Sequence, residues 1–399
     1  ERGITAVVTA ERGEEGLTRF GIEEYVSDCV IDLSQNMRGQ TTRRHLRIMK
    51  YRGSAHGTNA YPFLIGQNGI HLFAVTELGL DFPVSEERVS SGIDRLDEML
   101  GGRGFYRASS ILLSGTAGTG KSSVSASFVD AACGRGEQAL YISYEEPRLQ
   151  IMRNMQSIGI DLQRWQEQGN LRFHTTRVTK HGLEEHFFLV KELIEETPPD
   201  VVVIDPVSNL LQLGSPEEVK NLLTRMIDLL KSRGITTLVT ELISGGSTVE
   251  ATNTDISSLM DAWIQLREME SGGERTRVLS LLKARGMAHS HQLREFLLTD
   301  EGVSLLDVYT GPAGLITGTA RYTQEAQEEA EHKRRLQEIE RKKKELERKR
   351  KLKEARLKEI EAELQGEEEK LEQAILEAEE EEDKYQQRRE MRRQMRGGH

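Results

Sequence analysis

A chain of 399 residues and 45.1 kDa has room for two or three domains at roughly 150 residues each, which excludes a single small module. Its 37% hydrophobic residues and 36 glycines are the content of a chain that buries a core, and two cysteines, Cys29 and Cys133, exclude a disulfide framework or a four-ligand zinc site. The formal charge of −11 leaves no obvious basic face for nucleic acid. No apolar run reaches the roughly 18 residues of a membrane span, and a cytoplasmic, reducing setting is expected.

From the N-terminus, the first feature is a repeat. Lys50-Tyr51-Arg52-Gly53-Ser54-Ala55-His56 returns as Lys283-Ala284-Arg285-Gly286-Met287-Ala288-His289, an offset of 233 that also maps Phe63 onto Phe296 and Gly69 onto Gly302. Upstream, Arg2-Gly3-Ile4-Thr5 returns as Arg233-Gly234-Ile235-Thr236. This is a tandem duplication. The second copy is preceded by a complete α/β unit starting near Val89. Residues 1–87 are therefore expected to be the C-terminal part of a domain whose first roughly 140 residues are not in this sequence, and residues 88–319 a complete domain.

In that second copy the apolar run Ile111-Leu112-Leu113 leads into Gly115-Thr116-Ala117-Gly118-Thr119-Gly120-Lys121-Ser122-Ser123 and a helix-compatible stretch to Ala132. This is a phosphate-binding loop in its strand–loop–helix context. Glycines let backbone N–H groups face phosphates, Lys121 reaches the β/γ oxygens, and the Ser122 hydroxyl is placed to ligate Mg²⁺. Strand Ala139–Ser143 ends at Tyr144-Glu145-Glu146, where open α/β sheets place their ligands. One of the two acids could polarise an attacking hydroxyl; equally, the pair suits the start of a helix after Pro147. Strand Val201–Ile204 ends in Asp205, the position of the acid that holds the Mg²⁺ shell.

Beyond residue 325 the composition changes: 43 of the last 74 residues are charged. Leu336, Leu357, Leu364, Leu371, Ala378 and Tyr385 share one heptad register, with Ile339, Leu346, Ile360 and Ala374 on the matching seam, which is a coiled-coil pattern interrupted at Lys343, Arg350, Lys353 and Glu367; the alternative is a single solvated helix held by i,i+4 Glu/Lys pairs. Glu331–Lys358 carries a net +8 and Glu359–Asp383 a net −12. Antiparallel pairing between two copies lays unlike charges together, and is expected on that ground.

These motifs, with Arg88-Val89-Ser90-Ser91-Gly92-Ile93-Asp94-Arg95-Leu96-Asp97 ahead of the loop and Tyr61-Pro62-Phe63 after the first repeat, resemble the KaiC family, RecA-superfamily ATPases of the circadian clock. The resemblance runs from Glu1 to about Thr319. It implies an α/β fold of RecA-like P-loop ATPase domains in tandem, the first partial, followed here by a C-terminal tail and coiled-coil helix over 320–399. It further implies homo-hexamers with ATP between subunits, ADP as product, and Mg²⁺. Glu145 becomes the general base, Glu146 its acidic companion, and Ser122, Asp205 and Glu145 the metal-side residues. Lys283, Arg285 and His289 would reach a neighbour's ATP, with Lys50, Arg52 and His56 doing likewise for the first domain.

The family phosphorylates itself on an adjacent Ser and Thr; the matching stretch, Asn253–Asp261, offers Ser257 and Ser258, a Ser-Ser pair. Two further departures are Pro206, where the family has a hydroxyl residue, and Ile158, where it has an aromatic near the adenine. The resemblance also brings a KaiB-like partner, docking mostly on the first domain. The rod, absent from the best-known members, is expected to join two hexamers into a dodecamer. Two other readings of the same core are a DNA-dependent recombinase, which the acidic body opposes, and a nucleotide-glued scaffold, which the intact Lys121, Ser122, Asp205 and Glu145 oppose.

Overall fold

The computed structural model describes residues 3–11, 18, 21–38, 41–66, 69–72, 84–243, 254, 256–271, 274–311, 314–316 and 319–397. Arg2 of the shorter repeat, and Asn253 and Asp255 of the stretch matched to the phosphorylated segment, lie outside these.

The chain opens with α1 (Glu23–Val26) and a four-stranded antiparallel sheet, β1 (Cys29–Arg38), β2 (Thr41–Tyr51), β3 (Ala60–Gly66) and β4 (Gly69–Leu72). A small ribbon of β5 (Arg88–Val89) and β6 (Phe105–Tyr106) brackets α2 (Asp94–Met99). Then follow β7 (Ser110–Gly115), α3 (Lys121–Gly134), β8 (Ala139–Ser143), α4 (Arg148–Gln156), α5 (Leu162–Gln168), β9 (Leu171–Thr175), α6 (Leu183–Glu196), β10 (Val201–Asp205), α7 (Pro216–Ser232) and β11 (Thr236–Leu242). The body closes with β12 (Ala262–Ser271), β13 (Glu274–Ala284), β14 (Arg294–Thr299) and β15 (Gly302–Asp307), then the hairpin β16 (Tyr309–Gly311) and β17 (Gly314–Ile316).

Nine strands form one sheet in the order β15-β14-β13-β12-β7-β11-β10-β8-β9. From β12 to β9 every neighbour is parallel, and β13 to β15 add an antiparallel flank. The parallel strands are apolar on both faces, as crossover helices on both sides require. Val201 and Val203 enter the core beside α2, α3, α4 and α5, while Val202 and Ile204 enter the core beside α6 and α7. Local signals agree with this layering: Ser215 and Glu218 form a capping box, with Pro216 at the first helical position of α7.

The duplication is visible strand by strand. Cys29 pairs with Tyr51 as Ala262 pairs with Ala284, and both ladders break register at the same place, Val30/Ile31 and Trp263/Ile264. Phe63 faces Leu72 as Phe296 faces Leu305. Surroundings differ. Ile264 and Leu266 are buried by β7 and the helices, whereas the equivalent Ile31 and Leu33 are more than half exposed. The repeated Arg-Gly-Ile-Thr also diverges. In the second copy it runs into β11, held by β7 and β10 on either side; residues 3–11 have no flanking strands among the described residues and form none. The first sheet packs on the body through Arg43, which donates to the Leu213 carbonyl at 2.7 Å and pairs with Glu218 of α7, and through His71, whose ring lies 4.8 Å from that of Phe188 on α6.

The second unit is a single helix, α8 (Thr319–Arg396), of 78 residues, about 115 Å long at 1.5 Å per residue. It runs unbroken through Gly366. Ion pairs of i,i+4 type line it, among them Lys333–Glu329, Lys342–Glu338 and Lys349–Glu345, while Leu336, Leu346, Leu357, Leu364 and Leu371 stay exposed. Among the described residues no helix is long and apolar enough to cross a membrane.

Candidate nucleotide site and its flanking cations

The loop between β7 and α3 is shaped by glycines. Gly120, the N-cap of α3, has φ +100°, and a side chain there would meet the Phe296 ring at 2.7 Å; Gly115 lies so close to the Leu266 carbonyl that a Cβ would sit 2.8 Å from it. Only glycine fits either place. The Thr119 hydroxyl donates to the Thr116 carbonyl at 2.8 Å, tightening the turn.

Lys121 curls over the loop, its Nζ donating to the carbonyls of Gly115 (2.9 Å) and Thr116 (2.7 Å). Burial pushes its pKa down to about 8 against the pull of Asp205 and Glu145. The ammonium thus stands with backbone partners where phosphate oxygens would serve it better.

Asp205 is held from three sides. Its Oδ2 accepts from the Ser122 hydroxyl at 3.0 Å and the Tyr141 phenol at 2.7 Å, and its Oδ1 accepts from Thr240. The sheet order makes this possible, because β8 and β11 flank β10. Neither Tyr141 nor Thr240 was expected from sequence; both are inward residues on the neighbouring strands, a placement that only the strand order reveals.

Glu145 and Glu146 follow β8 and precede α4, whose N-cap is Pro147, so the helix-start placement and the site placement coexist. The turn is locked by Ser143, whose hydroxyl accepts from the Glu146 N–H at 3.1 Å and donates to its carbonyl at 2.8 Å. Burial, then the charges of Asp205 and Glu145, raise the pKa of Glu146, opposed by hydrogen bonds from Gln150 and Asn154, both 3.3 Å.

One cavity of about 360 Å³ lies between the loop, the strand ends and α4, lined by Ala117, Gly118, Gly120, Lys121, Ser122, Ser123, Glu145, Glu146 and Asp205, with Met155, Ile158, Pro206, Leu242 and Leu298 as its apolar side. Ile158 does lie on the cavity. Trp165 does not; its indole donates to Asp130 at 2.6 Å. The Ser122 hydroxyl and the Asp205 carboxylate are hard oxygen donors at the cavity wall, a set that fits a Mg²⁺ ion keeping water and phosphate oxygens as its other ligands.

A second group gathers elsewhere on the body. Lys283 Nζ donates to the carbonyl of Ser257 at 2.8 Å, and Arg285 to that of Ser258 at 2.7 Å. Ser257 is half-buried and Ser258 exposed. His289 rests on its own loop, Nδ1 3.3 Å from the Met287 carbonyl and its ring 4.7 Å from that of His291. None of these five lines the cavity of the same chain. The first copy repeats the arrangement: Lys50 reaches the Glu24 carbonyl at 2.9 Å, Arg52 the Tyr25 carbonyl at 3.0 Å, and His56 approaches the Ser54 carbonyl at 3.5 Å.

The chain matches the family model described as "ATPase: KaiC" over residues 1–77 and 89–308. It belongs to the KaiC family. Circadian clock protein KaiC2 of Synechocystis sp. is 48% identical over 342 residues, 85% of this chain and 60% of that protein. The circadian clock oscillator protein KaiC of Thermostichus vulcanus is 36% identical over 322 residues, 79% of this chain and 61% of that one. KaiC3 of Synechocystis is 32% identical over 335 residues, 82% and 66%. The chain thus spans about three-fifths of the length of the first two relatives. The residues matched to the family model contain the phosphate loop and the residues that line its cavity.

Proposed function

We propose that this chain is an ATP-hydrolysing serine autokinase that works as a ring in a KaiC-type clock or timer, each nucleotide site being completed by a neighbouring copy. The observation that carries the reading is the separation just described. The phosphate loop, Glu145, Glu146 and Asp205 share one cavity, while Ser257, Ser258, Lys283 and Arg285 cluster outside its lining on the same chain, and His289 does not line it either. A hydroxyl acceptor and a cation set that do not face their own nucleotide are suited to face the next one.

In the reading, N–H groups of Gly115 to Ser123 cradle the phosphates and Lys121 bridges the β and γ groups. Ser122 and Asp205, with Glu145 beside them, would hold Mg²⁺, which when bound neutralises charge on the phosphate oxygens. Glu145 takes the proton of the neighbour's Ser257 or Ser258 as the Oγ–P bond forms and the bond from phosphorus to the ADP oxygen breaks. With ADP bound, the same atoms run backward to ATP and free serine. Lys283, Arg285 and His289 supply positive charge in trans, so turnover depends on assembly; Lys50, Arg52 and His56 act likewise on the first domain's nucleotide. A KaiB-like protein is the proposed partner on that first domain.

The exposed apolar stripe of α8, with its basic half followed by an acidic half, is assigned to antiparallel pairing that joins two hexamers into a dodecamer. Incubation with Mg-ATP followed by phosphopeptide mass spectrometry tests the kinase: phosphate is expected on Ser257 and Ser258, and absent in Glu145→Gln, which still binds ATP. Phosphorylation of that variant at the wild-type level would contradict the assigned base.

A further inference from the structure

The two copies of the repeat share a pair of cations but not what those cations sit on. Lys50 and Arg52 hold the carbonyls of Glu24 and Tyr25, and Lys283 and Arg285 hold those of Ser257 and Ser258, at nearly the same distances. The backbone relation is closer still: the N–H of Arg52 donates to the Asp28 carbonyl at 2.8 Å, and that of Arg285 to the Asp261 carbonyl at 2.8 Å. The cation pair is thus a fixed part of the sheet, and the serine alcohols at 257 and 258 belong to the second copy alone, where the first has Glu24 and the phenol of Tyr25.

At 257 and 258 the cations are bound to neutral carbonyl oxygens, the weaker class of acceptor. A phosphorylated serine carries roughly −1.5 to −2 charges and three strong acceptor oxygens, and a charge-assisted bond to Lys or Arg is about twice as strong as a neutral one. The surroundings favour an anion as well. Burial, then the positive charge of Arg285, lowers the pKa of Lys283, with Lys231 adding to the effect and Asp261 opposing it. Asp261 itself is engaged by Lys231 at 2.7 Å and by Ser110, so it is not placed to neutralise both cations.

We infer that Lys283 and Arg285 form a phosphoserine clamp in cis: a phosphoryl group on Ser258 is gripped by the two cations of its own chain, which are thereby withdrawn from the neighbouring subunit's nucleotide. This rests on the autokinase reading, in which the same two side chains serve the neighbour in trans. The product of phosphoryl transfer and the transferring nucleotide then compete for one pair of charges. Each phosphorylation loosens the adjacent site, and the first copy, with Glu24 and Tyr25 in place of the serines, has no such brake.

The test is a double-mutant cycle on the full chain, with phosphoserine installed at position 258 by an expanded genetic code so that its presence does not depend on catalysis. A fluorescent ATP analogue reports binding, and light scattering confirms equal assembly. Phosphoserine is expected to weaken binding by about 5- to 50-fold, the usual span of coupling between sites, and to have little further effect in Lys283→Gln or Arg285→Gln. An equal loss with and without the cations, or no loss in the wild-type background, overturns the clamp. If Arg285→Gln and Lys283→Gln leave the unmodified protein's affinity unchanged, it is instead the trans assignment of the autokinase reading that fails. Two single variants guard against one that does not assemble.

Discussion

Ser122 and Asp205, 83 positions apart in sequence, meet at 3.0 Å, hydroxyl to carboxylate, and the same carboxylate oxygen accepts from Tyr141 at 2.7 Å. Tyr141 is buried and touches no cavity surface, so its role is to aim Asp205 rather than to bind. Tyr141→Phe preserves the ring and removes the donor. The expected result is a rise of about tenfold in the Mg²⁺ concentration for half-maximal ATPase, as is usual for groups that orient a metal ligand, with turnover at saturating Mg²⁺ little changed. An unaltered Mg²⁺ dependence would remove Tyr141 from the site.

Lys121 makes nucleotide binding proton-linked. Its pKa is about 8 in the free protein, near 10.4 in an unfolded chain, and rises when phosphate oxygens replace the backbone partners. Above about pH 8 binding therefore takes up a proton, measurable by calorimetry in buffers of different ionisation heat, and Lys121→Met abolishes the uptake. The sign for folding follows from the same values. Between about pH 8 and 10 the unfolded chain holds more protons on this residue than the native one, so its contribution makes the nucleotide-free protein more stable as pH rises through that window.

Two glycines of the loop separate backbone strain from collision. Gly118 has φ +81° with nothing within 4 Å of a Cβ, whereas Gly120 has φ +100° and the Phe296 ring at 2.7 Å. Gly118→Ala is expected to cost about 1–2 kcal/mol from conformation alone. Gly120→Ala should cost more, about 2–4 kcal/mol as steric displacement is added, and lose nucleotide binding. Equal thermal shifts for the two would show that Phe296 yields freely.

The stripe on α8 carries its own test. Removing residues 326–399 should give hexamers rather than dodecamers by light scattering, and Leu364→Asp, at an exposed stripe position, should do the same while the helix persists by circular dichroism. Donor at position 330 and acceptor at 395 on separate chains should come close on mixing. Because the pairing relies on exposed charges, screened beyond about 8 Å at physiological salt, it should weaken as salt is raised. An unchanged number of subunits after deletion rejects the pairing.

What was legible in the sequence was what is local. The phosphate loop, the strands ending at Ser143 and Asp205, and the long C-terminal helix each announce themselves within a few turns or residues, and each forms where expected. The neighbours of Asp205 were not legible, because Tyr141 and Thr240 reach it only through the order in which β8, β10 and β11 lie side by side. The repeat showed Lys283 and Arg285 as matched to Lys50 and Arg52, yet gave no hint that both pairs hold carbonyls. The repeat of Arg-Gly-Ile-Thr likewise says nothing of surroundings: the second copy runs into β11 between β7 and β10, whereas residues 3–11 form no strand, since a strand needs flanking partners more than it needs its own residues.

The matched register breaks at Val30/Ile31 and Trp263/Ile264 carry a consequence for descent. They set the cations of each copy by backbone geometry, while the residues beneath those cations, Glu24 and Tyr25 in α1 and Ser257 and Ser258 in a turn, lie outside both ladders. Substitution there can gain or lose an acceptor hydroxyl without disturbing a ladder partner. After duplication, the two halves were thus free to diverge in what lies beneath the cations while keeping the same ladders.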